Sequence, residues 1–235
     1  MRALLITVVV LAIALVVGDR VAVTVAQNEI ARQIKTRYDL PNQPGVGIGG
    51  FPFLTQAVEG KYGEVDIRIG DTTQQQVSVK DVDVKLSDVT ASISDLTQNH
   101  ASNIVAATAT ATALVPYDVV QHYAPKELES ISDGPDGLSA TGKFSVAGVS
   151  VPATVIITVT PTDNGIEITP VSAKPRSGGP AIPLAPLRQS LTFTVPLQQL
   201  PLGAKLTTIK PTSNGLEATA VAHDVHLSDI PVTKQ

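Results

Sequence analysis

The chain has 235 residues, no cysteine, no tryptophan, one methionine and only eight Phe or Tyr residues, and its formal charge is −4 from 17 basic and 21 acidic groups. Without cysteine there is no disulfide, cysteine-ligated metal or cysteine nucleophile. Lys and Arg never cluster in fours, so nucleic-acid binding lacks its main energetic source, phosphate neutralisation.

Residues 3–17 read ALLITVVVLAIALVV, with Arg2 before them and Gly18-Asp19-Arg20 after. A positive start followed by such a run fits an export signal. The run is shorter than the roughly 20 residues that cross a bilayer. VAVTVA resumes at Val21, but Asp19 and Arg20 make a longer span costly. Residues 1–18 are therefore expected to be a signal peptide or signal anchor. Thr24-x-Ala26 offers a cleavage site after Ala26. Arg2 on the cytoplasmic side places the remainder outside, so the expected location is extracytoplasmic, secreted or anchored in the cell envelope. The competing reading is a core helix of a cytoplasmic protein.

From Asp19 to Asp39 the pattern is helical: Ala26, Ile30, Ile34 and Tyr38 form an apolar stripe, with Glu29, Arg32, Lys35 and Arg37 largely off it. Pro41, Pro44 and the glycines from Gly45 onward end it. Pro52 then suits the start of a short helix whose buried side would carry Phe53, Ala57 and Tyr62.

From Glu64 the period becomes two. Val65, Ile67, Ile69, Val77 and Val79 are odd; Val82, Val84 and Leu86 are even; Val89, Ala91 and Ile93 are odd again. A slip of one residue turns a strand's side chains to the other face, so bulges or bends are expected near Lys80-Asp81 and Ser87-Asp88. Such devices curl a long sheet. Residues 105–115, VAATATATALV, alternate Ala with Thr and predict a strand with one face of methyl-sized side chains. A helix or a ligand chain could approach that face closely.

Residues 116–123 predict a short helix with Val119, Val120 and Tyr123 as packing residues. Three turn-strand segments follow, at 134–146, 161–173 and 211–223, each with Asp-Gly or Asn-Gly before an aliphatic residue. That is a strong hairpin signal. The last two align at an offset of 50 residues. A brief helical turn is expected after Leu187, with 191–197 extended. Prolines 152, 161, 170, 196, 201 and 211 mark edges, bulges and strand ends. The class predicted is α+β, with residues 19–235 as a single domain rich in long curved antiparallel strands.

Chemistry is sparse. His223 and His226 would point to opposite faces of a strand, a poor two-ligand metal site; His100 and His122 stand alone. GVGIGG at 45–50 lacks a preceding strand and a following Lys-Ser/Thr. Asp81 and Asp83 share a strand face, but nothing apolar surrounds them to raise a pKa, and Asp88 and Asp95 add only to a polar face. No catalytic residue, metal site or cofactor is expected. A binding module needs only an apolar cavity with a polar mouth.

GGFPFLTQAVEGKYGEVDI, preceded by DRVAVTVAQNEIARQI and followed at 195–227 by VPLQQLPLGAKLTTIKPTSNGLEATAVAHDVHL, resembles the LmeA-type phospholipid-binding family of actinobacterial envelopes. The resemblance covers roughly residues 19–230. It implies a fold similar to the tubular lipid-binding (TULIP) domains, in which a long, highly curved antiparallel sheet wraps around a helix and leaves a lipid groove. It also implies phospholipid and the membrane surface as partners, and, in mycobacteria, a link to lipomannan and lipoarabinomannan maturation. It carries no catalytic residues.

The expected lipid groove comprises Ile30, Ile34, Phe51, Phe53 and Leu54, with Ala107, Ala109, Ala111 and Ala113 along its wall. Arg37, Lys61 and Arg68 are the headgroup candidates by charge. The alternatives are a non-catalytic adaptor of the envelope, binding a protein through its sheet edge, or an enzyme acting on lipid-linked glycans. A side-chain-filled core would favour the adaptor, and converging polar groups in the groove the enzyme.

Overall fold

The computed structural model describes residues 1–74, 77–92, 103–134, 137–146, 149–163, 165–178, 180–196 and 200–229. Ile93, Asp95 and His100 lie outside the described residues.

A single helix, α1, runs from Arg2 to Arg37. It joins the apolar run and the amphipathic segment, because no proline interrupts them. Then come β1 (Gly45–Ile48), α2 (Phe53–Glu59), β2 (Lys61–Gln74), β3 (Val77–Thr90), β4 (Val105–Pro116) and α3 (Tyr117–Tyr123). The remainder is β5 (Leu128–Gly134), β6 (Gly137–Val146), β7 (Val149–Thr162), β8 (Gly165–Pro175), α4 (Leu184–Leu191), β9 (Phe193–Pro196), β10 (Lys205–Thr212) and β11 (Gly215–His226). One sheet has the order β1-β2-β3-β4-β11-β10, and the other the order β5-β6-β7-β8-β9. The class is α+β with long, largely antiparallel strands and short extra helices, as the residue pattern predicts.

The chain forms two compact units. The first takes Met1–Gly70, Asp83–Ala111 and the segment from Ala222 onward; the second takes Asp71–Val82 and Thr112–Val221.

The second unit holds the five-stranded sheet and a filled aliphatic core. Val120 of α3, Leu138, Ala140 and Phe144 of β6, Val155 and Ile157 of β7, Ile166 and Ile168 of β8, Leu187 and Leu191 of α4 and Leu216 of β11 are buried together. Every strand pair in this sheet is antiparallel. Pro170 is tolerated in β8, next to the edge strand β9, because the register shifts there: Ser172 faces Ile156 and Pro170 faces Ile157, leaving Val171 as the extra, exposed residue. The two aligned turns have the same hydrogen bond, from Thr162 Oγ1 to the Gly165 carbonyl (3.0 Å) and from Thr212 Oγ1 to the Gly215 carbonyl (2.9 Å). The 50-residue offset therefore reports a repeated hairpin.

Gly142 of β6 is required by a close approach. A Cβ there would lie 2.0 Å from the Glu127 carbonyl oxygen and 2.9 Å from the Phe144 ring. Gly142→Ala should lower stability by about 1–3 kcal/mol, the usual cost of overpacking. Gly63→Ala, where a Cβ meets nothing within 4 Å, is the control in the same chemical-denaturation series.

In the first unit, α1 packs against both β1 and α2. Helix α2 ends at Gly60, whose φ of +66° gives the left-handed C-cap that glycine adopts freely. The Gly60 carbonyl accepts from the Ala91 N–H at 2.9 Å. Phe53, Ala57 and Tyr62 are buried as expected. The slips in strand phase occur at aspartates with left-handed backbone: Asp81 (φ +49°), Asp88 (φ +51°) and Asp224 (φ +51°). Asp is among the few residues that tolerate this region. Across Asp88 the buried side passes from Leu86 to Val89, and across Asp224 from Ala222 to Val225. The second shift corrects the histidine reading: His223 and His226 are both exposed.

Candidate functional site

The first unit contains a cavity of about 130 Å³. One wall is the last third of α1, with Ile30, Gln33, Ile34, Arg37 and Tyr38; the other is sheet, with Ile48, Tyr62, Val65, Ile67, Leu86, Val89 and Ala91, joined by Ile104 and Leu227. Ile30 to Tyr38 spans about 12 Å of helix. The fully buried row of α1 runs through Asp19, Val23 and Ala31, one row over from the expected stripe. Ile30, Ile34 and Tyr38 flank that row and face the cavity.

The lining is apolar with two polar exceptions of consequence. Arg37 Nε and the Tyr62 hydroxyl are buried and have no hydrogen-bond partner. Burial pushes the Tyr62 phenol above its ordinary value, so near neutral pH it keeps its proton and can donate. Burial also pushes the Tyr38 phenol up, with the adjacent Arg37 guanidinium pulling it the other way. Buried polar atoms without partners are uncommon and costly. Both residues line the cavity, so a shift of either side chain would bring a donor to a ligand with an anionic or carbonyl oxygen beside an apolar chain.

Ile30, Ile34 and Arg37 thus lie together on this cavity. Phe53 is buried beside it, its ring centroid 6.3 Å from that of Tyr62, but does not line it. Phe51 and Leu54 are exposed, as are Lys61 and Arg68. Of the alanines on β4, Ala109 is buried, Ala111 and Ala113 are partly buried and Ala107 is exposed; none lines the cavity. Ala106, outside the predicted odd-numbered row, is fully buried. Residue pattern placed Tyr62 on the buried side of the short helix; it is buried, but on β2, because Gly60 ends the helix before it.

A second constellation joins α1 to α2. The N-cap of α2 is Pro52, which has no side chain to cap the helix. Asp19, buried, does so from α1: its Oδ1 accepts from the Leu54 N–H at 2.8 Å, and its Oδ2 pairs with the Arg20 guanidinium. Arg20 also stacks over the Phe51 ring, 5.0 Å from its centroid. These two charges, costly in a simple membrane helix, are here the tie between two elements.

An α+β chain with long antiparallel strands, a long amino-terminal helix and an apolar helix-to-sheet cavity defines a lipid-binding protein of TULIP-like fold. The chain belongs to the LmeA-like phospholipid-binding family, whose profile matches residues 17–221. No curated protein and no solved structure matches it. The family is described by phospholipid binding, and among the described residues no group of three or more His, Asp or Glu side chains could hold a metal.

Proposed function

We propose that this phospholipid-binding protein is exported and anchored in the cell envelope by residues 1–18, and that residues 19–235 work as one lipid-binding domain. The cavity between α1 and the sheet receives part of an acyl chain, while Arg37 and Tyr62 meet the phosphate or ester oxygens. The observation that supports this reading is an otherwise apolar cavity whose lining includes Arg37 and Tyr62, each with a buried polar atom that lacks a hydrogen-bond partner. In volume the cavity is close to one that holds a benzene ring, about 150 Å³. It therefore suits a segment of about four methylenes, worth about 3 kcal/mol of burial. Lys61 and Arg68, being exposed, would act on headgroups outside it. Shielding part of a lipid in this way is what a carrier in envelope lipid or lipoglycan maturation requires.

Native mass spectrometry of the full chain, extracted gently from its native host, tests the proposal. A co-purifying phospholipid is the expected result, and a chain that is lipid-free under those conditions contradicts it. Arg37→Met keeps the apolar stem and removes the charge. It should weaken binding of anionic phospholipid by at least about tenfold, since a hydrogen bond to a charged group is worth about 1.5–3 kcal/mol. Lipid titration of the two proteins checks this.

A further inference from the structure

The surface beside the apolar run of α1 carries more than an anchor needs. Val21 (59% exposed) and Val25 (63%) continue its apolar character past Asp19 and Arg20. On the side of α1 that Asp19 faces, α2 presents Leu54 (44%) and Val58 (83%), one turn apart, and Phe51 (61%) precedes it, so the exposed apolar residues lie around α1 rather than on one face of it. We propose that Val21, Phe51, Leu54 and Val58 form a collar that docks into the headgroup–acyl boundary of the bilayer holding α1. This rests on the anchored reading of residues 1–18.

Length supplies the first argument. Ala3 to Val17 is 15 residues, about 22 Å of helix, against a hydrocarbon core of about 30 Å. The shortfall of about 8 Å corresponds to roughly the next five residues of α1. Those residues, 18–22, include Val21 and Asp19, which holds the start of α2. A helix that short either thins the bilayer or draws its flanking surface into the boundary. Here that surface is apolar.

Charge supplies the second. Lowering the helix would ordinarily expose Asp19 and Arg20 to lipid. Asp19 is instead buried, bonded to the Leu54 N–H and paired with Arg20. Arg20, about half-exposed, lies over Phe51. A long cation above an aromatic ring suits the interface, where Arg snorkels and aromatic rings sit at headgroup level. Residues 1–18 are exposed throughout, so with α1 anchored the collar continues an apolar surface already in the bilayer.

The chain has no tryptophan, which makes single-tryptophan variants clean reporters. Full-length Leu11→Trp, Phe51→Trp and Val58→Trp proteins would be placed in phosphatidylcholine vesicles with brominated acyl chains, and quenching compared with that by aqueous acrylamide. Val58 is open enough that a larger ring there disturbs no packing. The expected result is that all three lose most of their emission to the brominated chains and little to acrylamide. Quenching of Leu11→Trp by lipid, with Phe51→Trp and Val58→Trp quenched only by acrylamide, would overturn docking and leave the anchor intact. If those two are reached by neither quencher, a protein contact covers the collar, and docking is again overturned. If Leu11→Trp escapes the lipid quencher, the anchor fails, and docking, which rests on it, fails with it.

Discussion

Ala91→Leu should leave the chain folded and lower its phospholipid affinity by roughly 100-fold. Ala91 is buried and lines the cavity from the sheet side. Three further carbons there occupy the space assigned to about four methylenes of lipid, whose burial is worth about 3 kcal/mol. Filling a cavity commonly raises stability by about 0.5–2 kcal/mol. The two readouts should therefore separate: the unfolding midpoint holds or rises while lipid titration collapses. An unchanged affinity would show that lipid binds elsewhere. A fall in both would mean that the leucine strains the wall, and Val89→Leu, which adds a single carbon on the same wall, then becomes the variant to measure.

Asp19→Ala should free the first turn of α2 from α1. Pro52 offers that turn no side-chain cap, so its leading N–H groups depend on the Asp19 carboxylate, which sits 2.8 Å from the Leu54 nitrogen. Alanine leaves these donors without a partner and leaves Arg20 without its ion pair. Amide exchange at Leu54 should accelerate by at least about tenfold, the scale set by one lost hydrogen bond to a charged group. Asp19→Asn retains one acceptor and should lie between the two. Exchange at Leu128, in the second unit, serves as the reference. Equal exchange at Leu54 in all three proteins would show that α2 holds its place without Asp19.

Much of this architecture was legible in the residues because strand period and turn chemistry agree. The phase slips at Lys80-Asp81 and Ser87-Asp88 marked two of the three left-handed aspartates that lie within strands. The third, Asp224, escaped notice because alanines at 218, 220 and 222 give a weak apolar phase; each of the three is followed by a valine on the new phase. The Thr/Gly hairpins were equally plain. The Ala/Thr strand was less so: burial on β4 shifts from Ala106 to Ala109, and residues of equal size give no sign of which face is inward. In the candidate site, helix periodicity brought out Ile30 and Ile34, and charge brought out Arg37. The sheet wall could not be read, since Ile48, Tyr62, Val89 and Ala91 meet only through pairing between distant strands. Asp19 was misjudged for a related reason. One charged residue after an apolar run reads as a membrane boundary, and nothing local shows that Leu54, 35 residues away, supplies its partner.

The most direct test is photocrosslinking of the full-length chain with a phospholipid carrying a diazirine on its acyl chain, followed by peptide mapping. Adducts should concentrate on residues 30–38, 62–67 and 86–91, the cavity walls, and should fall sharply in Ala91→Leu. Adducts confined to β5–β9, or unchanged in Ala91→Leu, would contradict lipid binding in this cavity.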